Sequence, residues 1–172
     1  KVFLPDGSYR EMTEWVLPPD LQVEYEQMVN DLEHDERWQR VRRFVRGGYW
    51  RNFRVRYPEA NEMYSRMLMV SRRLAQLNSS EARSDQSTAE VLDDARRALY
   101  RGQCNCSYWH GAFGGIYLPH LRGAVYNHLI AAENLVDKAT GKTEAYVEAT
   151  VDDYNFDAHK EVCLANDRLV AL

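Results

Sequence analysis

The chain has little cysteine, little proline and no long apolar run. Three cysteines among 172 residues, two of them one residue apart, cannot build a disulfide framework. Free thiols in odd number point to a reducing compartment, so a cytoplasmic protein is expected. No apolar stretch approaches the roughly 20 residues that span a bilayer, which argues against a membrane partner. Positive charge is not in excess either: the net charge is −4 at pH 7. The sequence shows no internal repeat, no low-complexity tract and no signal-peptide pattern, although it opens on Lys1 rather than Met and reads as a fragment. What it does have is 45% hydrophobic residues, enough in this length for one sizeable core but not for two complete domains.

Those hydrophobic residues fall into five segments of helical period. The cleanest stripe is Ala60, Met63, Met67, Val70, Leu74 and Leu77, spaced alternately by three and four residues, so that one face must meet a partner helix. Pro58 in its first turn loses no needed N–H, and Glu59 beside it suits the positive end of the helix. Upstream, Leu21, Tyr25, Met28 and Leu32 form a similar stripe, and after His34 come Trp38, Val41 and Val45, stopped by Gly47 and Gly48. Residues 78–86 are polar and aperiodic and read as a loop leading to a capping box of Ser87 and Glu90. The next stripe is Val91, Leu92, Ala95, Ala98 and Leu99. Leu121, Val125, Leu129, Ala132 and Val136 follow Pro119 and end at Gly141, placed for a left-handed cap. Past Gly141 the pattern turns β-branched and alternating, at Tyr146, Val147, Thr150 and Val151, then Val162 and Leu164, a turn at 165–167, and Leu169 and Val170. The expected fold is mainly α, a central three-helix-type bundle with extra helices and a short C-terminal β hairpin. A hairpin alone is marginal in water, so these strands read as the start of a β-rich domain.

Three constellations are candidates for chemistry. Cys104, Cys106 and His110 include metal-ligand residue types, but one intervening residue strains a shared tetrahedron and a fourth ligand is missing. Two small cysteines buried near a helix end are expected instead, and no metal or cofactor. Pairing either cysteine with His110 or His120 as a nucleophile and base finds no activating geometry in the sequence. Second, eight arginines from Arg37 to Arg56 alternate with Trp38, Phe44, Tyr49, Trp50, Phe53 and Tyr57, a pattern that could track phosphates and stack bases. The acids from Glu24 to Glu36 lie just upstream, so a solvated, charge-paired helix face is the simpler expectation, with no nucleic-acid partner. Gly47 and Gly48 could let the backbone turn and present Tyr49 and Trp50 outward.

The third is the run from Cys104 to Arg122, in which four aromatics, three glycines and two histidines follow one helix and precede another. Tyr108 and Trp109 beside Asn105 and His110 combine apolar ring faces with hydrogen-bonding tips, which suits a sugar ring. The same rings could equally plug the end of a helical bundle.

The run from Gln103 to Arg122 closely resembles the last signature region of glycoside hydrolase family 57, in the α-amylase and 4-α-glucanotransferase branch. Residues 4–17, with Glu11-Met12-Thr13-Glu14-Trp15, resemble the end of that family's catalytic barrel. Residues 45–53, with Tyr57-Pro58-Glu59 and Met67-Leu68-Met69-Val70-Ser71, resemble the first part of its central helical region.

The resemblance implies three pieces: 1–18 as the tail of a preceding catalytic barrel, 19–140 as the central helical domain, and 141–172 as the start of a C-terminal β-rich domain. It implies a parent that acts on α-1,4-glucans with retention, through a glutamate nucleophile and an aspartate acid/base that have no counterpart here. This piece would then hold no catalytic residue and would complete the substrate cleft. Trp109 would stack on a glucose ring, Asn105, Tyr108 and His110 would orient hydroxyls, and Trp50 would join them. Its partners would be the α-glucan and the absent barrel and β-domain. Similar enzymes often carry aspartate where Cys106 stands, a charged acceptor worth about 1.5–3 kcal/mol. The alternatives are a nucleic-acid-binding module built on residues 37–57 and a purely structural scaffold.

Overall fold

Three long helices form the body of the protein: α5 (Pro58–Asn78), α6 (Gln86–Gly102) and α7 (Pro119–Ala139) pack on one another. They are preceded by α1 (Arg10–Glu14), α2 (Pro19–Glu33), α3 (Trp38–Val41) and α4 (Trp50–Arg56). Strands β1 (Val147–Asp152), β2 (Glu161–Asn166) and β3 (Val170–Ala171) follow as an antiparallel sheet in chain order, with Val151 opposite Val162 and Leu164 opposite Ala171. The computed structural model describes residues 9–78, 85–109, 114–142, 144–155 and 157–172. Residues 1–8 of the expected barrel tail and residues 79–84 of the expected loop lie outside them.

The core is where the stripes put it. Ala60, Met63, Val70 and Leu74 of α5 meet Leu92, Ala95, Ala98 and Leu99 of α6 and Val125, Leu129, Ala132 and Val136 of α7, while Met67 and Leu77 pack at its margin. Gly141 takes the left-handed conformation, at φ +77°, and the Lys142 N–H donates to the Asp137 carbonyl at 2.9 Å, so α7 ends in a Schellman cap. Inside the helix pair runs a chain of charges. Buried Arg66 of α5 donates to buried Glu133 of α7. Arg73 reaches both Glu133, at 2.7 Å, and Asp137, at 2.5 Å.

Four expectations need correction. In α2 the inward residues are Tyr25 and Val29, not Leu21 and Met28, which are exposed. Among the described residues, Tyr25 and Val29 are the buried pair of this helix, one i,i+4 step apart, so the buried face is narrow. The helix expected from Trp38 to Val45 lasts only four residues, and its Val41 is exposed. The cap of α6 is Asp85 rather than Ser87. Its carboxylate accepts from the Thr88 N–H at 3.0 Å and from the Ser87 hydroxyl at 2.5 Å, and an ionised acceptor out-competes a hydroxyl for the positive helix end. The glycine pair at 47–48 does not serve a sharp turn: neither residue has positive φ, and Cβ atoms there would sit 2.4 Å from the Thr13 carbonyl oxygen and 2.2 Å from Val16. Their smallness lets α1 lie directly on the backbone before α4.

Candidate functional site

The segment after α6 is shaped by where its buried side chains go. A 3-10 turn over Asn105–Ser107 leaves Ser107 and Tyr108 facing the core. Tyr108 is 6% exposed and its hydroxyl donates to the Gly102 carbonyl at 2.6 Å. Burial raises its pKa above the ordinary phenol value, which keeps the group a protonated donor. Tyr108 is thus an anchor of the loop, turned away from solvent. The far side of the loop closes on itself through the Ile116 N–H, which donates to the Trp109 carbonyl at 3.0 Å. Gly115, at φ +47°, permits this approach, because a Cβ would lie 1.9 Å from the Trp109 oxygen. Arg122 then donates to the Ile116 carbonyl at 2.6 Å and holds the second 3-10 turn, Gly115–Tyr117, against α7.

So anchored, Trp109 is half-buried and its indole is the inner ring of a stack. Tyr9 lies on it with centroids 4.5 Å apart and planes 9° from parallel, while Trp15 approaches it at 6.0 Å, tilted by 34°. Tyr9 is 52% exposed, and the exposed Asn105 donates its side-chain N–H to the Tyr9 hydroxyl at 3.2 Å. The structure therefore brings Asn105 and Trp109 together with Tyr9, a residue that sequence reasoning did not select. No local pattern could have found it, since its partners stand at the other end of the helical region.

The other expected site residues go elsewhere or lie outside the description. His110 is outside the described residues. Trp50 belongs to a second aromatic group: its ring stacks on Phe53 at 5.6 Å and meets the edge of Tyr64 at 5.7 Å. It is half-buried in α4, whose start is held by the Asn52 side chain accepting from the Tyr49 N–H at 3.1 Å, so the glycine pair does not present it outward. The two groups touch through Tyr57, whose ring lies 4.4 Å from that of Phe53, tilted by 34°, and whose hydroxyl donates to the Trp15 carbonyl at 3.2 Å. Cys104 and Cys106 are exposed, contrary to expectation, because Ser107 and Tyr108 take the inward positions of that turn. Among the described residues, no three His, Cys, Asp or Glu side chains gather as metal ligands. Among the described residues, the charge pairing expected for the arginine run is found at Arg37, which grips Asp35 at 2.7 Å and holds its carboxyl at a pKa of about 2. Arg54 instead lies over the Tyr64 ring at 4.5 Å.

This helical scaffold and its loop match a known family. The family described as α-amylase/4-α-glucanotransferase, middle domain, matches residues 48–136. The chain belongs to this family of glycoside hydrolase family 57 middle domains. The middle-domain match covers α5, α6, the aromatic loop and nearly all of α7; Tyr9 and the sheet lie outside it. The chain is 42% identical over 171 residues to the α-amylase of Pyrococcus furiosus and, over the same number, to the 4-α-glucanotransferase of Thermococcus kodakarensis. Each comparison takes in 99% of this chain but only 23% and 22% of the relatives. The crystal structure of the 4-α-glucanotransferase from Thermococcus litoralis is similar with a TM-score of 0.66 at 37% identity, over 99% of this chain and 23% of that one. The middle domain with its flanks thus spans under a quarter of the length of these relatives. No helix among the described residues is long and apolar enough to cross a membrane.

Proposed function

We propose that this chain is the central part of an α-glucan-active retaining glycosidase or 4-α-glucanotransferase and forms one wall of its substrate cleft, the reacting carboxylates being supplied by a preceding barrel. In this reading residues 1–18 are the tail of that barrel and 141–172 open a β-rich domain. The observation that carries it is the Tyr9–Trp109 stack with Asn105 at its edge. An aromatic face beside an amide is the composition a glucose ring meets best, C–H groups on the ring and hydroxyls on the amide. Tyr9 is the outer ring and Trp109 the one behind it, so the sugar-facing surface belongs to the pair. His110, next in sequence to Trp109, is assigned a hydroxyl contact on the resemblance of the loop. Tyr108 and Trp50 support the wall from within, through the Gly102 carbonyl and the Phe53–Tyr64 rings.

Two measurements test the reading. Titration of the chain with maltoheptaose, followed by NMR, should move the Trp109 indole and Asn105 amide signals together, and Tyr9→Ala with Trp109→Ala should remove the response. Incubated with amylose, the chain alone should release no reducing sugar. Glucan binding that persists in the double variant would sink the assignment of the stack, and hydrolysis by the isolated chain would overturn its non-catalytic role.

A further inference from the structure

The arginine run contains a feature that the glucan reading does not use. Arg42, Arg43 and Arg46 line one cleft of about 380 Å³, and Arg10 enters it from α1. Thr13, Tyr25 and Val29 also line it, with Trp38 at its side. Tyr25 ties the two sides, since its hydroxyl donates to the Val45 carbonyl at 3.2 Å. Against four arginines the lining holds one carboxylate, Glu33, and that group faces Arg10 at 3.6 Å. Arg10 is further engaged by Glu14 at 2.6 Å. Among the described residues, Arg42, Arg43 and Arg46 form no ion pair with a carboxylate; Arg43 lies 6.0 Å over the Phe44 ring, itself 79% exposed. Three arginines with no carboxylate partner among the described residues, set around one concavity, create a positive potential that an anion would relieve.

We propose that this cleft binds a phosphate monoester, with the phosphate on the forks of Arg42, Arg43 and Arg46 and the organic part against Trp38. The planar guanidinium fork matches phosphate oxygens two at a time, and the one carboxylate of the lining, Glu33, is turned to Arg10 rather than to these three. The volume falls within the range of small-molecule sites, about 300–1,000 Å³. The free arginines are confined to this one open concavity rather than strung along a track: Arg37 of the same run is held by Asp35, and Arg54 lies on Tyr64. That arrangement favours a compact monoester over a polynucleotide backbone. The proposal stands independently of glucan binding.

The test is an NMR titration of the chain with inorganic phosphate, glucose 6-phosphate and adenosine monophosphate. The Trp38 indole N–H and the Nε–H signals of Arg42 and Arg46 should shift saturably, with at least one ester binding about tenfold tighter than inorganic phosphate. A preference for the sugar phosphate or for the nucleotide identifies the source of the phosphate. Arg42→Gln with Arg46→Gln should abolish binding, while Arg97→Gln on α6 leaves it intact. Trp38→Leu should keep phosphate affinity and erase the preference for the ester, which guards against a double variant that fails to fold. No saturation up to about 10 mM, equal affinity for phosphate and both esters, or unchanged binding in a folded double variant would each overturn the proposal. Tighter binding of a single-stranded oligonucleotide than of adenosine monophosphate would replace it with nucleic-acid recognition.

Discussion

The ring of Tyr9 lies flat on the indole of Trp109, and the amide of Asn105 holds the Tyr9 hydroxyl in place. This contact joins the start of the chain to the loop between α6 and α7, and makes the candidate sugar-facing surface a product of two distant segments. An offset aromatic pair contributes about 0.5–1.5 kcal/mol beyond the area it buries. A double-mutant cycle of Tyr9→Ala and Trp109→Ala, read by urea unfolding, should return a coupling energy in that range. A coupling of zero would mean the rings merely lie near each other.

Gly115→Ala should destabilise the chain by about 1–3 kcal/mol, the usual cost of forcing a side chain into a left-handed backbone, and more if the loop cannot yield. The reason is local: its Cβ would press on the Trp109 carbonyl oxygen at 1.9 Å. Thermal melts would measure the loss, and the Trp109 indole signal should move with it. An unperturbed indole in a destabilised variant would show that the loop's closure does not position the ring.

Glu133 is buried between Arg66 and Arg73. Glu133→Leu leaves Arg66 with an uncompensated buried charge and should cost about 3–5 kcal/mol. Adding Arg66→Met should recover most of that loss, because Arg73 retains Asp137 at 2.5 Å and the replaced pair no longer needs desolvating. Equal stability of the single and double variants would refute this account of the network.

The start of α6 should be acid-sensitive. Hydrogen bonds from Ser87 and Thr88 lower the Asp85 pKa from an ordinary 3.8 to about 2. A carboxyl depressed in the folded state contributes its stabilisation fully above the unfolded value and loses it as pH falls through the folded one. The window is therefore from about pH 4 down to about 2. Asp85→Asn keeps an acceptor without a charge, so the difference in melting temperature between it and the parent chain should shrink across that window. A constant difference would show that Asp85 is not the titrating cap.

Much of the helical body was legible because periodicity reports burial directly. Each of Ala60, Val70, Leu92, Leu129 and Val136 sits on the stripe read from spacing, and each is buried. The failures came where contact is narrow or capping is contested. Leu21 and Met28 are apolar at helical spacing yet exposed, since none of the described residues buries that side of α2. Asp85 displaced Ser87 through its charge, a competition that a motif search does not weigh.

By itself, the sequence determined the three long helices, the left-handed end of α7 at Gly141, the strand-rich tail, and the family, carried by the loop from Gln103 to Arg122. These follow from local rules, the periodic burial of apolar residues, backbone permissions and a distinctive motif. Tertiary structure alone decided which aromatics face outward. It turned Tyr108 inward to Gly102, sent Trp50 to Phe53 and Tyr64, and paired Trp109 with Tyr9. It also gathered Arg10 with Arg42, Arg43 and Arg46 around one cleft. An aromatic or an arginine has the same composition on either side of a loop, and only packing against distant segments settles which side it takes.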